Sequence, residues 1–439
     1  MKQIQPRIYK GTRDFLPEDM RKRNYVLSII KEIFGIYGFE PLETPSIELW
    51  DTLSGKYGDE ADRLTYRFTD RGNREVGLRY DLTVPLSRLI ANYPQIPKPF
   101  KRYQIQPVWR ADKPQKGRFR EFYQCDVDIV GSPSVLADAE IIAITNDILK
   151  KLNFQKYKIR LNSRKILSGI REISGARREE EILICRALDK IDKIGISGVR
   201  RQLRDYKISS NSVESIMEII LFEGTSEEQL SRLKDLFTSS KVGLEGIEEM
   251  STLLLYLKEY QISKEILFFD LYLARGLDYY TGPIFETNVE EPKIGSITGG
   301  GRYDNLIGLF SGNDQPATGT TIGLERIITV MDELNLFPNN LSTEVQVLVT
   351  VFDESTLPYS IRISNRLRNA GIKTDLYSGK SKLRGQFGLA NDKKIPIVII
   401  AGPDEKEKNE VNVKLMKSGE QFKVSLIDLI RKVQSLLVE

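Results

Sequence analysis

The residues best suited to chemistry lie in one stretch, Ala274-Arg275-Gly276-Leu277-Asp278-Tyr279-Tyr280-Thr281-Gly282. An apolar run over residues 266–273 precedes it, and a strand-like run over 283–289 follows it. One arginine and two tyrosines are therefore expected at the end of a strand, held between glycines on a rigid scaffold that suits binding or catalysis. The stretch is equally compatible with a hairpin corner that carries a solvated arginine.

A second group of polar residues lies on two strand-like segments, 101–110 and 121–130. Arg110 ends the first segment, and Arg118 lies in the loop that joins them. Arginine binds phosphate oxygens through two hydrogen bonds at once. Because side chains alternate along a strand, one face of the second segment carries groups suited to an ammonium ion, namely Gln124, Asp126 and Asp128. The alternative is a basic hairpin loop beside a surface row of carboxylates.

Two further junctions place polar groups or glycines beside a helix. Asp81 and Thr83 stand between a strand-like segment and a helical one, where either side chain could simply cap the helix. The glycines at 299–301 would let a ligand lie directly on the backbone. Arg326 lies near the start of a helix predicted over 324–334. Glycine corners and a helix-surface arginine are the alternative interpretation.

The chain contains no histidine. This excludes a Ser-His-Asp triad, a histidine base and a histidine zinc site. An enzyme of this composition would depend on carboxylates, arginines, tyrosines or a bound metal, which suits electrostatic stabilisation of phosphoryl or acyl transfer. No G-x-x-x-x-G-K-[ST] phosphate loop occurs, so any ATP is held by a different scaffold. Cys125 and Cys185 are too far apart for a metal-binding pair or a disulfide framework.

The composition is that of an ordinary globular protein. Its 439 residues predict two or three domains. The net charge of +4, from 65 basic and 61 acidic residues, permits a polyanionic partner without requiring one. No apolar run reaches the roughly 18 residues of a membrane span. The first residues lack the apolar core of a signal peptide. A cytoplasmic protein without membrane contact is expected.

Helical and strand-like periods divide the chain into segments with different character. The two outer parts of the first 336 residues mix strands and helices, whereas the segment between them is charged, helical and poor in strand signals. After a linker that contains Pro338, strand and helix alternate, which predicts a small α/β domain with a mostly parallel sheet. The predicted segments are 1–163, 164–262, 263–336 and 343–439.

Together these motifs resemble those of class II aminoacyl-tRNA synthetases, most closely the histidyl-tRNA synthetase family. Residues 275–282 are similar to that family's histidine-binding signature, and the resemblance runs in order along nearly the whole chain. It includes a proline-bearing dimer motif around 42–53. Segments 78–83 and 121–126 resemble the eukaryotic-type branch. The implied fold class is α+β, with an antiparallel-sheet catalytic domain, a helical insertion and a C-terminal α/β anticodon-binding domain.

The resemblance also implies roles for individual residues. The implied histidine site comprises Asp81, Thr83, Arg110, Gln124, Asp128, Arg275, Tyr279 and Tyr280. The implied ATP site comprises Arg110, Asp112, Arg118, Phe122, Gly301 and Arg326. Arg110 and Arg275 would be catalytic, neutralising charge at the α-phosphate together with Mg²⁺, and no metal site of histidine or cysteine is expected. Gln115 and Lys116 are predicted to touch the acceptor end of the tRNA.

The implied function is ATP-dependent ligation of L-histidine to tRNA(His) by a homodimer, through a histidyl-adenylate. One departure from the family pattern is Asp112, which stands where many class II enzymes have glutamate. Two alternatives are a regulatory subunit of an ATP phosphoribosyltransferase and a synthetase-like RNA-binding or stress-sensing module. The complete signature at 275–282 and the C-terminal domain favour the enzyme.

Overall fold

The structure is a computed structural model that falls into two compact units. The first comprises residues 1–14 and 23–336, and the second comprises 15–22 and 337–439. The described residues are 4–55, 64–114, 117–274, 279–338, 341 and 343–438.

A sheet of eight described strands forms the centre of the first unit. Its strand order is β1-β5-β6-β11-β10-β9-β7-β8. These strands are β1 (Glu40–Pro41), β5 (Phe100–Trp109), β6 (Glu121–Val130), β7 (Tyr157–Ser163), β8 (Leu267–Phe269), β9 (Pro283–Val289), β10 (Thr298–Arg302) and β11 (Ala317–Gly323). The inner six pair antiparallel, while β1 and β8 pair in parallel at the two edges. This antiparallel sheet confirms the predicted α+β class.

Two segments of this sheet differ from the sequence expectation. The central strand β11 was not predicted, because its sequence Ala-Thr-Gly-Thr-Thr-Ile-Gly has few of the apolar residues that mark a buried strand. The strand predicted over 266–273 is too long, since only Leu267–Phe269 pairs in the sheet and the chain then turns. The apolar residues Leu271 and Leu273 are buried in that turn.

A separate small sheet contains a hairpin over residues 67–78. It consists of β2 (Ile47–Leu49), β4 (Glu75–Leu78) and β3 (Arg67–Thr69), all antiparallel, in that order. The Asp70 carboxylate closes the turn by accepting hydrogen bonds from the backbone N–H of Gly72 at 2.8 Å and of Arg74 at 2.9 Å. The segment 39–49 contributes β1 and β2, which belong to two different sheets.

Helices cover the sheet and fill the central segment. Those up to residue 336 are α1 (Pro17–Ile36), α2 (Trp50–Leu53), α3 (Thr83–Asn92), α4 (Val135–Lys151), α5 (Arg164–Ile173), α6 (Glu181–Leu188), α7 (Ile191–Asp205), α8 (Ser210–Ile220), α9 (Ser226–Leu236), α10 (Lys241–Glu259), α11 (Gly308–Ser311) and α12 (Leu324–Glu333). Ser134 caps α4, accepting a hydrogen bond from the N–H of Leu136. The described segment between β7 and β8 is helical, as expected.

The second unit is a five-stranded sheet with helices. Its order is β13-β12-β14-β15-β16, comprising β12 (Val347–Val349), β13 (Thr374–Leu376), β14 (Ile397–Ile400), β15 (Glu410–Leu415) and β16 (Gln421–Ser425). The sheet is parallel from β13 to β14 and antiparallel from there on, so the expected mostly parallel sheet is only half right. Its helices are α13 (Leu357–Asn369), α14 (Leu383–Asp392), α15 (Pro403–Glu407) and α16 (Leu429–Val438).

Among the described helices, none combines the length and the apolar composition needed to cross a bilayer.

Candidate active site

A cleft of about 420 Å³ opens on one face of the large sheet, over β6, β10 and β11. It brings together motifs that are more than 200 residues apart in sequence. Its lining is Leu64, Asp81, Thr83, Arg110, Asp112, Gly117, Arg118, Phe119, Phe122, Tyr123, Gln124, Tyr279, Tyr280, Ser296, Ile297, Thr298, Gly299, Thr321, Gly323, Glu325 and Arg326. Most of the residues predicted for the histidine and ATP sites therefore share one cavity.

A polar row that the strand register creates runs from the cleft into the sheet beneath it. Gln124, Asp126 and Asp128 alternate along β6 and share one face. Directly opposite them on β5 stand Gln106, Gln104 and Arg102. Arg102 is fully buried, and its Nη2 lies 2.8 Å from Oδ2 of Asp128. This pairing was missed in the sequence, because Arg102 lies on a strand whose partner could not be identified from periodicity alone.

Asp128 lies below the cleft rather than in its lining. Its Oδ1 accepts a 2.6 Å hydrogen bond from the hydroxyl of Tyr303. A Cβ added to Gly319, its neighbour on β11, would lie 2.0 Å from the same oxygen. Only glycine at position 319 leaves room for this carboxylate, so β11 is shaped around the polar row. The predicted contact of Asp128 with the substrate stays a prediction.

Gln124 is the clearest candidate for a ligand-binding group. Its Nε2 donates to Oγ1 of Thr321 at 3.0 Å, and Thr321 in turn donates to Oδ1 of Asp126 at 2.7 Å. The amide oxygen Oε1 of Gln124 is buried and has no hydrogen-bonding partner among the described residues. A buried acceptor without a partner is costly, so this oxygen is suited to receive a donor from a ligand in the cleft.

Asp81 and Thr83 lie where the chain enters α3. Oδ1 of Asp81 accepts a 3.2 Å hydrogen bond from the N–H of Val84, as a helix-capping side chain does. Both side chains also line the cleft. The capping and the ligand-binding interpretations of Asp81 are thus compatible with one position.

Tyr279 and Tyr280 form the wall beside β10. Their hydroxyl oxygens are 3.3 Å apart and their ring centroids 4.5 Å apart. A Cβ on Gly301 would lie 2.9 Å from Cδ1 of Tyr280, so this glycine makes space for the ring. Gly301 is buried and does not line the cleft, whereas Gly299 does. Close packing against Tyr280 therefore explains the glycine at position 301. The predicted contact of Gly301 with ATP stays a prediction.

Within the described part of the chain, three arginines line the cleft. Nε of Arg110 donates to the carbonyl oxygen of Tyr80 at 2.9 Å, and its guanidinium lies 5.2 Å from the centroid of the Phe122 ring. Arg326 donates from Nη1 to the carbonyl oxygen of Ser296. Arg118 lines the cleft together with Asp112. Three permanently charged groups in one cleft favour a polyphosphate ligand.

Glu325 is a lining residue that the sequence reasoning missed. It is 7% exposed, and its Oε2 lies 2.8 Å from Nη2 of Arg13 and 2.7 Å from Nη1 of Arg23. Its Oε1 accepts from the N–H of Tyr123 at 3.4 Å. Glu325 thereby joins the N-terminal segment to β6 and α12. The sequence signal that could have identified Glu325 is its position beside Arg326 at the start of a helix.

Burial perturbs the acids of the polar row. Burial, reinforced by the neighbouring Asp128, raises the pKa of Asp126 to about 7, although Arg102 opposes this shift. Burial also raises the pKa of Asp128, again against the effect of Arg102. The pKa of Tyr303 is raised well above its ordinary value by burial and by Asp128. Asp126 is thus an acid that titrates near neutrality beneath the cleft.

Some predicted residues cannot be placed. Arg275, Gln115 and Lys116 lie outside the described residues, and their roles stay predictions. Within the described part of the chain, no group of three histidine, cysteine, aspartate or glutamate side chains is arranged to hold a metal ion.

The cleft combines an acceptor for an ammonium group with arginines for phosphates, above a largely antiparallel sheet. Such a site can hold an amino acid and a nucleotide together. This fold and this arrangement define a class II aminoacyl-tRNA synthetase.

Comparisons with known proteins identify the family within that class. The model "Histidyl-tRNA synthetase" matches residues 11–327, and the model "Anticodon binding domain" matches residues 346–436. A histidine–tRNA ligase of Phocaeicola vulgatus is 41% identical, over 98% of this chain and 99% of the relative. One of Aeropyrum pernix is 42% identical, over 98% of each. The crystal structure of histidyl-tRNA synthetase from Nostoc sp. PCC 7120 matches with a TM-score of 0.85 and 30% identity, over 99% of this chain and 100% of that chain. This chain belongs to the histidyl-tRNA synthetase family.

Proposed function

We propose that this chain ligates L-histidine to tRNA(His), using ATP, through a histidyl-adenylate, with release of AMP and diphosphate. The supporting observation is a single cleft that holds the unpartnered amide oxygen of Gln124 together with Arg110, Arg118 and Arg326. An amino acid would bind the Gln124 oxygen through its ammonium group and an arginine through its carboxylate. The geometry would bring that carboxylate towards the α-phosphate of ATP.

The amino-acid end of the cleft lies beside α3 and β6. We assign the α-ammonium group to Asp81, Thr83 and Gln124, which all line the cleft. We assign the imidazole to Tyr279 and Tyr280, with Asp128 behind them. Each carboxylate oxygen has two lone pairs, so Asp128 can accept an imidazole N–H while it keeps Tyr303 and Arg102. A site that hydrogen-bonds its substrate discriminates strongly against analogues that leave its polar groups unpaired.

The nucleotide end lies beside β5 and α12. We propose that the adenine stacks on Phe122 and that Arg326 covers its other face, since both side chains line the cleft. Arg110 and Arg118 would bind phosphate oxygens. Asp112 lines the same cavity. Its side chain is one methylene shorter than the glutamate that many class II enzymes have at this position. We expect it to approach the adenine amine less closely than glutamate would.

In the first step, an oxygen of the histidine carboxylate forms a bond to the α-phosphorus. The bond from this phosphorus to the bridging oxygen breaks on the opposite side, and diphosphate leaves. Arg110, and Arg275 if its predicted role holds, would stabilise the charge that develops on the α-phosphate. We propose that Mg²⁺ enters with ATP, bound mainly by phosphate oxygens, and adds charge neutralisation.

In the second step, a hydroxyl of the terminal adenosine of the tRNA attacks the carbonyl carbon of the adenylate. The carbon–oxygen bond to the phosphate breaks and AMP leaves. We propose that the hydroxyl proton passes to a phosphate oxygen of the adenylate, a transfer that needs no base from the protein. Gln115 and Lys116 stay predicted contacts of the acceptor end.

We propose that the second unit binds the anticodon. Phe352 is 53% exposed, and an exposed aromatic ring suits base stacking. Lys380 and Lys382 precede α14, and Arg384 lies in its first turn. Among the described residues, no carboxylate pairs with these three cations, so they remain available for phosphates.

We also propose that the protein is a homodimer and that it acts in the cytoplasm, where tRNA is charged for protein synthesis. The dimer motif predicted around residues 42–53 includes β2, which forms an edge of the small sheet. Ile47 and Leu49 on β2 are 51% and 56% exposed, and Phe68 on β3 is 42% exposed. An edge strand with exposed apolar side chains is a favourable place for a second copy to pack.

Histidine-dependent exchange of diphosphate into ATP tests the proposed reaction. The purified full-length chain should catalyse this exchange with L-histidine and not with other amino acids, and should then charge tRNA(His). A regulatory paralogue would bind histidine without exchange. A folded preparation that shows no exchange with histidine would overturn the proposal.

A further inference from the structure

The polar row contains a chain of three hydrogen-bonded side chains that ends in the cleft. Asp126 accepts from Thr321, Thr321 accepts from Gln124, and the amide oxygen of Gln124 is left for a ligand. Asp126 is 2% exposed and does not line the cleft. Its contact with the ligand site passes through Thr321, which lies directly opposite it on β11.

The direction of each hydrogen bond follows from the donors available. An ionised carboxylate can only accept, and a hydroxyl has a single proton. When Asp126 is ionised, Thr321 must donate its proton to Asp126, and its oxygen then accepts from the amide NH₂ of Gln124. That bond fixes the two ends of the amide, with nitrogen towards β11 and oxygen towards the cleft.

A neutral Asp126 removes this restriction. The protonated carboxyl can donate to Thr321, and the hydroxyl proton of Thr321 can then point at Gln124. The amide is free to turn over and to present its NH₂ group to the cleft. Two donors would then face each other, since an α-ammonium group can only donate.

We propose that Asp126 is a positioning residue, which acts through Thr321 to hold the amide oxygen of Gln124 towards the α-ammonium group of the amino-acid substrate. This inference rests on the proposed function, because it takes Gln124 as a ligand of that ammonium group. Under this proposal, the buried carboxylate of Asp126 controls the affinity of the site for the ammonium end of the substrate.

The surroundings of Asp126 allow it to act as a pH-dependent element. Its pKa of about 7 results from burial and from the nearby Asp128 and Asp81, with Arg102 and Thr321 opposing them. A bound ammonium group nearby favours the ionised form. The charged and titratable groups that interact with Asp126 lie on β5 and β6, directly after β4 and β10, and just before α3. They are Arg102, Cys125, Asp128, Arg79, Tyr303 and Asp81. Histidine binding should therefore strengthen as pH rises through about 7.

Kinetics of histidine-dependent exchange in Thr321 variants test the connection. Thr321→Val removes the hydroxyl and should raise the KM for histidine roughly tenfold, the effect of one hydrogen bond to a charged group. Thr321→Ser keeps the hydroxyl and should retain the wild-type KM. Thr320→Val is the matched control, because Thr320 is buried on the opposite face of β11 and its hydroxyl has no described partner.

Asp126→Asn tests the carboxylate itself. An asparagine can donate to Thr321 or accept from it, so the KM for histidine should rise and the KM for ATP should not. The increase in histidine affinity between pH 6 and 8 should be smaller in this variant than in the wild type. Histidinol, which keeps the ammonium group, should bind Thr321→Val more weakly than wild type, whereas imidazolepropionate, which lacks it, should bind both equally.

The outcomes separate this inference from the proposed function. A wild-type protein without exchange would overturn the function itself. An active wild type whose histidine KM and pH profile are unchanged by both Asp126→Asn and Thr321→Val would overturn only the positioning role. Equal weakening of histidinol and imidazolepropionate would also overturn it, since that pattern indicates general damage to the site.

Discussion

At the scale of single residues, Arg110 shows how the site is prepared for charge. Its Nε is fixed to the carbonyl oxygen of Tyr80, and its guanidinium lies over the ring of Phe122. Among the described residues, none accepts a hydrogen bond from its two terminal nitrogens. A guanidinium that is fixed through Nε and keeps both terminal nitrogens available is suited to bind phosphate and carboxylate oxygens. Because it is already oriented, no free energy of reorganisation is needed at the moment of reaction.

Arg110→Ala should lower the rate constant of adenylate formation by a factor on the order of 10²–10³, the usual effect of removing one electrostatic donor. Arg110→Lys should recover only part of this, because an ammonium group keeps the charge without the fork. Single-turnover adenylation, followed by release of labelled diphosphate, measures both. Arg74→Ala is a suitable control, since Arg74 lies in the exposed turn of the small sheet. Wild-type adenylation by Arg110→Ala would contradict the assigned role.

At the scale of elements, β11 organises the site although its sequence gives little sign of it. Gly319 leaves space for Asp128, Thr321 holds Gln124, and Gly323 opens α12. Gly300 on β10 is equally restricted, since a Cβ there would lie 1.9 Å from the carbonyl oxygen of Gly319. Small residues on these strands are therefore a requirement of close packing below the ligand.

Gly319→Ala should destabilise the fold. The added methyl group would overlap the Asp128 carboxylate and lie 2.7 Å from the carbonyl oxygen of Val127, and overpacking typically costs about 1–3 kcal/mol. Thermal unfolding should show a clearly lower Tm. Gly35→Ala is the matched control, because a Cβ there meets nothing within 4 Å and alanine favours a helix by up to about 1 kcal/mol. Equal Tm values for the two variants would contradict this account of β11.

At the scale of the whole molecule, the chain buries acidic side chains against both faces of the central sheet. Asp126, Asp128 and Asp138 are all buried, and burial raises the pKa of each. Asp138 is balanced by Arg302, whose Nη2 lies 2.5 Å from its Oδ2. The raised values mean that the folded chain holds protons that the unfolded chain has already released, so these groups stabilise the fold most at low pH.

For Asp126 the window can be given. Its stabilising contribution is complete below the ordinary aspartate value of 3.8 and is lost as pH rises towards about 7. The Tm of Asp126→Asn relative to wild type should therefore rise from pH 5 to 7 and level off above that. Scanning calorimetry across this range measures the difference. A relative Tm that falls with pH would contradict the assigned direction of the shift.

The proposed dimer makes a prediction at the same scale. Leu49→Arg places a charge among the exposed apolar groups of the small sheet and should shift the protein towards a monomer in analytical ultracentrifugation. Leu255→Arg is the control, since Leu255 is similarly exposed, at 55%, on α10 in the helical segment. If both variants sediment as the wild type does, this surface is not the dimer contact.

The sequence by itself determined the α+β class, the helical segment and about half of the residues that line the cleft. Periodicity fixes which face of β6 is polar, and the absence of histidine restricts the chemistry. The tertiary structure alone decided which side chains meet. Asp126 and Thr321 are 195 residues apart, and Glu325 joins Arg13 across 312 residues. Such contacts depend on strand order and register, which local propensity does not encode. For the same reason, Gly319 and Thr321 are recognisable as site residues only once β11 lies beside β6.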